Sequence, residues 1–414
     1  MKIAAKAGPV LAVFLASFPA LAGDTIGFWD TQRKGSNFFS VKPLAERFAE
    51  AHAAGIQWGR LAYDKWDATE RDFLIGNADH YDGLVQPDSA RLKEVLGMAH
   101  DSEVGSVIAP LTLPGMRWSQ NNGDKFDGRI WEDKAYWQQT ADFWRDLAAE
   151  LKDNPGVLAY NIVNEPAPER GTGSAENTAP GDVSSHIAFA EANKGTARDL
   201  PAFYEMVISA IRSVDPDTPI MVDAGWYANA GAFSGWPNAL SDSKVLYAFH
   251  MYEPYNFTAG KNFHDKLGYV YPGMVPFGTG EVARNASTIN EFLQPVYDWA
   301  DKQAIPANRI VAAEFGCMRR NEGCADYLTD VMANLNAHDI HWAFYSFHED
   351  EYDGFDYELG SDALGWKYWE APERARRPSC PTSPIRYGMP FRRGCTSRGL
   401  TSQPRLNRPH GEVY

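Results

Sequence analysis

The chain has 414 residues, of which 44% are hydrophobic and 22% are charged. These values are ordinary for a globular protein with a core, and the length suits one large domain or two modest ones. The formal net charge is −15. So acidic a protein is a poor partner for nucleic acid or anionic lipid, and a neutral polysaccharide fits the charge better.

The first residues predict an export leader. Lys2 and Lys6 give a positive start, residues 10–18 are apolar, and Ala20-Leu21-Ala22 has the small-x-small form of a cleavage site. We therefore expect residues 1–22 to be a signal peptide and the protein to be secreted or periplasmic. The apolar stretch is too short to span a bilayer, and we expect no membrane partner.

Short β-branched or aromatic runs alternate with helical patterns from residue 33 onward. The predicted strands cover residues 33–39, 57–63, 106–113, 157–163, 219–224, 245–252, 309–314 and 341–347. The predicted helices cover residues 43–53, 88–102, 133–152, 201–214, 287–303, 325–338 and 362–374. This alternation indicates an α/β protein with a parallel sheet, and its eight units favour a (β/α)8 TIM barrel over an open doubly wound sheet.

We expect residues 23–375 to form this single barrel domain. No glycine-rich phosphate loop follows an early strand, which argues against a nucleotide-binding protein. Residues 226–243 are rich in Gly and Asn and predict no clear helix. Residues 167–200 form a long polar insertion, which we expect to be a cleft wall or lid. Residues 376–414 are rich in Arg, Pro, Gly and Ser, and we expect a disordered basic tail.

Two glutamates mark the candidate catalytic centre. Glu165 follows the apolar run 157–163, and Glu314 ends the run 309–314. Because the strands of a barrel converge on one mouth, these distant residues can meet there. Retaining glycoside hydrolysis needs two such carboxyl groups, one as nucleophile and one as acid and base. A single glutamate at a strand end is more often a salt-bridged or solvated carboxylate, so only the two glutamates together indicate this chemistry.

Several motifs then carry a family resemblance. Asn164-Glu165-Pro166 resembles the Asn-Glu-Pro signature of glycoside hydrolase family 5, the cellulase-like group of clan A. The other motifs follow in the family's order and are Arg33-Lys34-Gly35-Ser36-Asn37, Trp58-Gly59-Arg60-Leu61, Trp144-Arg145-Asp146-Leu147 with Asn154-Pro155, His250-Met251-Tyr252 and Glu314-Phe315-Gly316. The likeness covers residues 33–373, and it implies a barrel hydrolase that needs no cofactor.

The resemblance also implies a role for each matching residue. Glu165 would be the acid/base and Glu314 the nucleophile. Asn164 would bind the sugar 2-hydroxyl, and Arg60 would keep Glu314 ionised. The supporting residues of the sixth strand would be Tyr252, which would orient Glu314, and His250, which would contact Glu165 or the sugar. Residues two apart on a strand face the same side, which agrees with that pairing.

The sequence departs from the family pattern at two places. The third strand ends in Pro110-Leu111-Thr112-Leu113-Pro114-Gly115, without the family's usual histidine. The eighth strand places Tyr345 where the family has a tryptophan that floors the subsite of the attacked sugar. Trp342 lies on the opposite face, and we expect it to pack against helices. The contacts close to the cleavage point should therefore differ from those of typical family members.

Four cysteines occur, at positions 317, 324, 380 and 395. An even number in an exported chain permits two disulfides in three possible connectivities. Cys317 and Cys324 close a small loop after Glu314, so we expect that pair, while pairing of Cys380 with Cys395 stays open. No spacing typical of a metal site is present, and we expect neither a metal nor another cofactor.

Two further groups of residues lie near the predicted active face. Trp118, Trp131, Trp226 and Trp236 could stack on sugars, although packing is the commoner role of each. The acidic and aromatic loop 347–358 could bind sugar hydroxyls, be solvated, or hold an ion.

The sequence therefore predicts a secreted retaining glycosidase that cleaves a β-linked poly- or oligosaccharide by double displacement. Endo action on β-1,4-glucan is what the resemblance implies. The alternatives are an exo-acting β-glycosidase or a β-mannanase of the same fold and, from another class, a non-catalytic carbohydrate-binding barrel. A barrel lyase or aldolase is disfavoured because no strand ends in a plausible Schiff-base lysine. We expect a monomer that binds no nucleic acid.

Overall fold

The computed structural model describes residues 25–175, 179–277, 280–350, 352–361, 364–366 and 368. Eight parallel strands form its centre: β1 (Lys34–Phe38), β2 (Trp58–Leu61), β3 (Gly105–Ile108), β4 (Val157–Asn161), β5 (Ile220–Asp223), β6 (Val245–Met251), β9 (Ile310–Phe315) and β10 (His341–Phe344). They close into a barrel in the order β1-β10-β9-β6-β5-β4-β3-β2. The predicted (β/α)8 barrel is confirmed.

Long helices surround the barrel, and shorter segments follow several of its strands. In chain order they are α1 (Ala45–Ala53), α2 (Gln86–Asp101), α3 (Lys134–Leu151), α4 (Ser184–Asn193), α5 (Leu200–Arg212), α6 (Gly225–Ala228), α7 (Tyr255–Thr258), α8 (Gly260–His264), α9 (Ala286–Lys302) and α10 (Cys324–Ala337). In the short segment α6 the backbone of Trp226 and Tyr227 is left-handed instead of helical. Side-chain caps start several of them. Asp133 accepts from the backbone N–H of Ala135 at the start of α3, and Asn285 accepts from that of Thr288 at the start of α9.

The predicted elements differ from the structure in three respects. The third strand ends at Ile108 instead of residue 113, because Pro110 has no N–H for the ladder and the chain then turns between Leu113 and Met116. Helix α4 lies inside the insertion at residues 167–200, where no helix was predicted. The chain after β6 also forms α7, α8 and an antiparallel hairpin of β7 (Gly273–Phe277) and β8 (Gly280–Arg284), none of which was predicted.

Several predicted features lie outside the described residues. These are the leader at 1–22, the tail at 376–414, Cys380 and Cys395, and nearly all of the helix expected at 362–374. Among the described helices, none combines the length and the apolarity needed to cross a membrane.

An apolar plug fills the amino-terminal end of the barrel. The 3-10 helix Thr25–Asp30 lies under the strands and inserts Trp29, which is 0% exposed. The ring of Trp29 packs edge-on against that of Trp58 on β2, with centroids 5.2 Å apart. Leu158 on β4 and Leu246 on β6 belong to the same buried cluster. We therefore assign the plug a role in stability, since active sites in such barrels lie at the opposite end.

The plug gives a stability prediction. Trp29→Ala would leave a cavity among the lower barrel residues and should lower the free energy of unfolding by about 3–5 kcal/mol. Urea denaturation followed by circular dichroism measures this loss. Phe263→Ala is the matched control, because Phe263 is 38% exposed and its truncation should cost below about 1 kcal/mol. Equal losses in the two variants would contradict the proposed packing role of the plug.

Candidate active site

The candidate site is organised around Arg60, which lies on β2 inside the barrel and is 0% exposed. A guanidinium has five N–H groups and no acceptor. All five donate to side-chain oxygens, those of Asn161 (2.7 Å), Asn37 (3.3 Å), Asn164 (2.5 Å), Asp223 (3.4 Å) and Glu314. The arginine therefore fixes five residues that come from four other strands or the residues that follow them.

Glu314 lies near the carboxyl end of β9 and is buried. Arg60 donates to its Oε1, and the Tyr252 hydroxyl donates to its Oε2 at 2.8 Å. Burial raises the pKa of Glu314 above its usual range, and the neighbouring His250 and Arg60 oppose that rise. Both carboxylate oxygens thus have a fixed donor, which orients the group toward the cavity.

Glu165 follows β4 after three further residues, and its backbone adopts a left-handed conformation with φ +48°. Such a conformation is costly for a residue with a side chain, and residues strained in this way cluster at functional sites. Its backbone N–H donates to Asp223 at 3.1 Å, which holds the bend. Its Oε1 lies 2.8 Å from Nδ1 of His250. The strained bend and this contact aim the carboxylate at the centre of the mouth.

The two glutamates face each other across that centre. One carboxylate oxygen of Glu165, one of Glu314 and one ring nitrogen of His250 all lie within 4.8 Å of one another. In the described part of the chain this is the one group that could hold a metal ion. Arg60 already places a positive charge on Glu314, however, and that charge opposes a second cation there.

His250 lies on β6 between the carboxylates. Burial lowers the pKa of this imidazole, but Glu314, Glu165 and Asp223 outweigh the burial and raise the pKa above its ordinary value. Its Nε2 is 3.6 Å from Asp223. A proton on His250 would therefore be stabilised from three sides, which links the protonation of the two glutamates.

Asp223 was missed in the sequence, although it ends the fifth strand. It is 0% exposed, and it accepts from Asn161 at 2.9 Å in addition to the backbone of Glu165. Its position could have predicted a role in the site, because a carboxylate at the end of a barrel strand lies at the same mouth as the other strand ends. It belongs to no motif that was considered, so its role emerged only from the geometry.

A cavity of about 340 Å³ opens above the glutamates. Two groups of its lining residues lie on opposite sides of the barrel, because β4 and β5 are neighbours and lie across from β10, β1 and β2. Residues that follow β3 and β6 line the cavity as well. The Glu165 wall consists of residues that follow β4 and β5, namely Arg170, Trp226, Tyr227 and Asn229. The Tyr345 wall consists of residues that follow β10, β1 and β2, namely Tyr345, Phe39 and Lys65.

Tyr345 directly follows β10 and lines the cavity. Its ring packs edge-on against Phe39 with centroids 5.3 Å apart, and its hydroxyl donates to Glu349 at 3.0 Å. Lys65 also donates to Glu349, at 2.8 Å. Burial raises the pKa of Glu349, while Lys65 lowers it. The Lys65–Glu349 pair was not predicted, since a lysine after the second strand has no distinctive pattern.

The other sequence candidates divide into lining and packing residues. Trp226 lines the cavity, whereas Trp131 packs on Phe203 and Trp236 on Phe233 in the core. In the loop after β10, Phe355 lines the cavity. The carboxylate of Asp353 in that loop pairs with Arg319 and Arg320, so it is neutralised by the protein.

A disulfide joins Cys317 and Cys324, whose Cα atoms are 5.8 Å apart. It closes the turn between Glu314 on β9 and helix α10. The two residues are buried, and the Tyr357 hydroxyl accepts from the backbone N–H of Cys317 at 3.1 Å. The bridge thus constrains the segment that follows the buried Glu314.

A closed (β/α)8 barrel with a buried pair of carboxylates at its carboxyl end has the architecture of a barrel glycoside hydrolase. A family model described as cellulase (glycosyl hydrolase family 5) matches residues 36–351. The chain belongs to glycosyl hydrolase family 5, as the sequence motifs predicted.

Two relatives match about half of the chain at low sequence identity. An endoglycoceramidase of Cyanea nozakii is 25% identical over 210 residues, which cover 48% of this chain and 37% of that protein. A β-xylosidase of Phanerodontia chrysosporium is 24% identical over 249 residues, which cover 58% and 44%. The chain thus spans less than half the length of each of these relatives.

Solved structures show the same fold. An endoglucanase is 20% identical with a TM-score of 0.57, and the match covers 80% of this chain and 94% of that one. The endoglucanase Cel5A of Thermotoga maritima is 17% identical with a TM-score of 0.58 over the same shares. At these identities the likeness establishes the barrel fold alone.

The Arg60 network gives a pH-dependent stability prediction. Arg60→Met would leave Asp223 and Glu314 buried without their cation and should lower the free energy of unfolding by about 3–5 kcal/mol at pH 7. Without the guanidinium, the pKa of Glu314 in the folded state should lie still further above its value in the unfolded state. The folded state then holds a proton that the unfolded state has lost, so the loss of stability should grow as pH rises from about 5 to 7.

Urea denaturation of both proteins at pH 5 and pH 7 measures this difference. Arg145→Met is the control, because Arg145 pairs with Asp142 and Asp146 on the surface and is 41% exposed. Its loss should stay within about 1 kcal/mol at both pH values. A loss for Arg60→Met that is the same at pH 5 and pH 7 would contradict the electrostatic role.

Proposed function

We propose that this protein is a retaining glycoside hydrolase that cleaves β-linked glycosides by double displacement. The observation that carries the proposal is the approach of the Glu165 and Glu314 carboxylates, with oxygens no more than 4.8 Å apart. Retaining enzymes hold their carboxyl groups about 5–5.5 Å apart, whereas inverting enzymes need about 6.5–9.5 Å to admit a water molecule. The spacing here supports the retaining mechanism.

The different partners of the two carboxylates support their roles. Glu314 receives donors on both oxygens, from Arg60 and Tyr252, which stabilise its anion as a nucleophile requires. Glu165 accepts a hydrogen bond from neither of these donors in the described structure, and His250 lies at its Oε1. A carboxyl group with an imidazole partner and no guanidinium is suited to exchange protons with a leaving group and then with water.

The reaction then proceeds in two displacements. Glu314 forms a bond to the anomeric carbon as the bond to the leaving oxygen breaks, and Glu165 gives its proton to that oxygen. Water next attacks the same carbon, Glu165 takes a proton from the water, and the bond to Glu314 breaks. Each step inverts the anomeric carbon, so the product has the configuration of the substrate.

Asn164 is positioned to assist through its amide group. Arginine can only donate, so the oxygen bonded to Arg60 must be Oδ1 of Asn164. Its Nδ2 group is then the donor available to a ligand, and Asn164 lines the cavity. A hydrogen bond from Nδ2 to the sugar 2-hydroxyl would strengthen as charge develops at the neighbouring carbon.

The substrate class we propose is a β-1,4-glucan or a related polymer, cleaved internally. The endoglucanase names of the structural neighbours support it. One alternative is a β-mannanase of the same fold. The other is an exo-acting β-glycosidase, which would act on short oligosaccharides or from a chain end. It is supported by the insertion beside the cavity and by the β-xylosidase relative. We also propose that the chain is exported and that residues 1–22 are removed. The composition of that segment supports this proposal.

A substrate screen separates these possibilities. Purified protein is incubated with β-glucan, mannan, xylan and a set of 4-nitrophenyl β-glycosides, and reducing ends and product sizes are measured. Early products of many lengths support internal cleavage, and a single small product from the start supports exo action. Binding of a glycan without turnover of any substrate would support a non-catalytic barrel instead.

The catalytic pair gives a direct prediction. Glu314→Ala should lower kcat by roughly 10⁴-fold or more, because the covalent route is lost. Glu165→Ala should lose most of its activity but recover with added azide on an activated aryl glycoside, whose leaving group needs no proton. Kinetics with and without azide measure this, and circular dichroism establishes that both variants are folded. Near-native activity in both folded variants would overturn the assignment.

The stereochemistry gives an independent prediction. Proton NMR of the early reaction should show the anomer with the substrate's own configuration before mutarotation mixes the two forms. This measurement needs no variant, so it stays informative if a substitution disturbs the site. First appearance of the opposite anomer would rule out double displacement.

A further inference from the structure

A buried carboxylate holds two residues of the Tyr345 wall together. Glu349, in the chain segment after β10, is 5% exposed. Its Oε1 accepts from the ammonium of Lys65 at 2.8 Å, and its Oε2 accepts from the hydroxyls of Tyr345 at 3.0 Å and Ser346 at 3.3 Å. Lys65 and Tyr345 line the cavity, and Glu349 lies behind them, outside the lining. The carboxylate therefore fixes a cation and an aromatic ring at the cavity surface.

Hydrogen bonds between neighbouring loops hold this wall in place. Asp350, the residue after the buried carboxylate, accepts from the backbone N–H groups of Val41 and Lys42, both at 2.8 Å. The indole N–H of Trp66 donates to the carbonyl oxygen of Ser40 at 3.0 Å. The segments that follow β1, β2 and β10 are thus joined to one another, which fixes the position of the residues between them.

The Tyr345 wall lies on the side of the sugar that becomes bonded to Glu314. A general acid must lie beside the oxygen that it protonates, and that oxygen leaves with the departing part of the substrate. Glu165 follows β4, across the barrel from the wall, so the departing part lies away from the wall. Burial raises the pKa of Tyr345 well above its usual range, and Glu349 and Glu314 raise it further, which places Tyr345 near the nucleophile. The wall therefore faces the glycone, the part of the substrate that stays with Glu314.

The chemistry of Lys65 and Glu349 favours an uncharged polar ligand. An ammonium carries three N–H groups, so Lys65 can donate to Glu349 and to further acceptors at the same time. Glu349 balances the charge of Lys65, so the two side chains together exert no net attraction on an anionic sugar. A charged donor still forms a stronger hydrogen bond with a hydroxyl oxygen than an uncharged donor does.

We propose that Lys65 is a specificity-determining residue that donates to one hydroxyl group of a neutral glycone, an inference that rests on the proposed hydrolytic function. Glu349 is the positioning residue for this donor. The same carboxylate holds the hydroxyl of Tyr345, so the ammonium and the aromatic ring are fixed relative to each other. A site built to bond one hydroxyl discriminates strongly against an analogue that lacks it.

The test uses the 4-nitrophenyl β-glycoside that the native protein hydrolyses best, together with analogues that each lack one hydroxyl of its glycone. For the native protein, loss of the hydroxyl that Lys65 binds should lower kcat/KM roughly 10- to 100-fold. Lys65→Met should lower kcat/KM for the parent glycoside by a similar factor and should abolish its advantage over that one analogue. Glu349→Gln should reduce the same advantage and leave those over the other analogues unchanged.

Two further variants keep the test decisive. The double variant Lys65→Met/Glu349→Gln removes both charges, so it leaves no buried carboxylate without its cation if the single variant does not fold. It should give the same result as Lys65→Met. Lys93→Met is the matched control, because Lys93 also pairs with a glutamate, Glu150, but on the surface and outside the cavity lining. Its relative kcat/KM values across the analogues should equal those of the native protein.

Each other outcome has a distinct meaning. If every analogue shows the same relative kcat/KM in the Lys65 variants as in the native protein, Lys65 determines no specificity and the inference fails. A preference for a 4-nitrophenyl β-glucuronide over the β-glucoside that disappears in Lys65→Met would overturn the assignment to a neutral glycone. Native protein that hydrolyses no aryl glycoside and no polysaccharide would instead count against the proposed function.

Discussion

The structure depends on one buried guanidinium whose every N–H is used. Arg60 joins the first, second, fourth, fifth and ninth strands of the chain through a single layer of amides and carboxylates. This layer lies between the apolar plug below and the cavity above. Because each partner bonds a different N–H, none can shift without leaving a buried donor unsatisfied, which is costly. The barrel mouth is therefore rigid where its two glutamates meet.

The same layer gives the two glutamates unlike surroundings. Glu314 shares the arginine with Asp223 and adds a tyrosine hydroxyl, whereas Glu165 has an imidazole and a strained backbone. His250 lies within ion-pair distance of all three carboxylates. Protons in this group are consequently shared, and a change in the charge of one member alters the proton affinity of the others. Two chemically identical side chains can take different roles because their partners differ.

The sequence predicted the parts of the molecule that follow regular patterns. Eight short apolar runs became barrel strands, and Glu165 and Glu314 could be selected because each closes such a run. Helix α4 was missed because its apolar residues have no helical period within a polar insertion. The hairpin was missed because Met274 and Pro276 interrupt any strand-like alternation. The left-handed segment could not be foreseen, since Trp226 and Tyr227 are not residues that normally adopt such a backbone; only tertiary contacts with the insertion explain it.

Barrel closure has a consequence for how this chain folds. Strand β1 pairs with β10, and a hydrogen bond from Arg33 to His341 joins residues 308 positions apart at that seam. Until the last strand has been synthesised, β1 keeps one unpaired edge, which is a site for wrong pairing. Contacts between such distant positions also slow folding, because a long loop must close before they form. The barrel therefore cannot be completed during early translation, and its final seam forms only when nearly the whole domain is available.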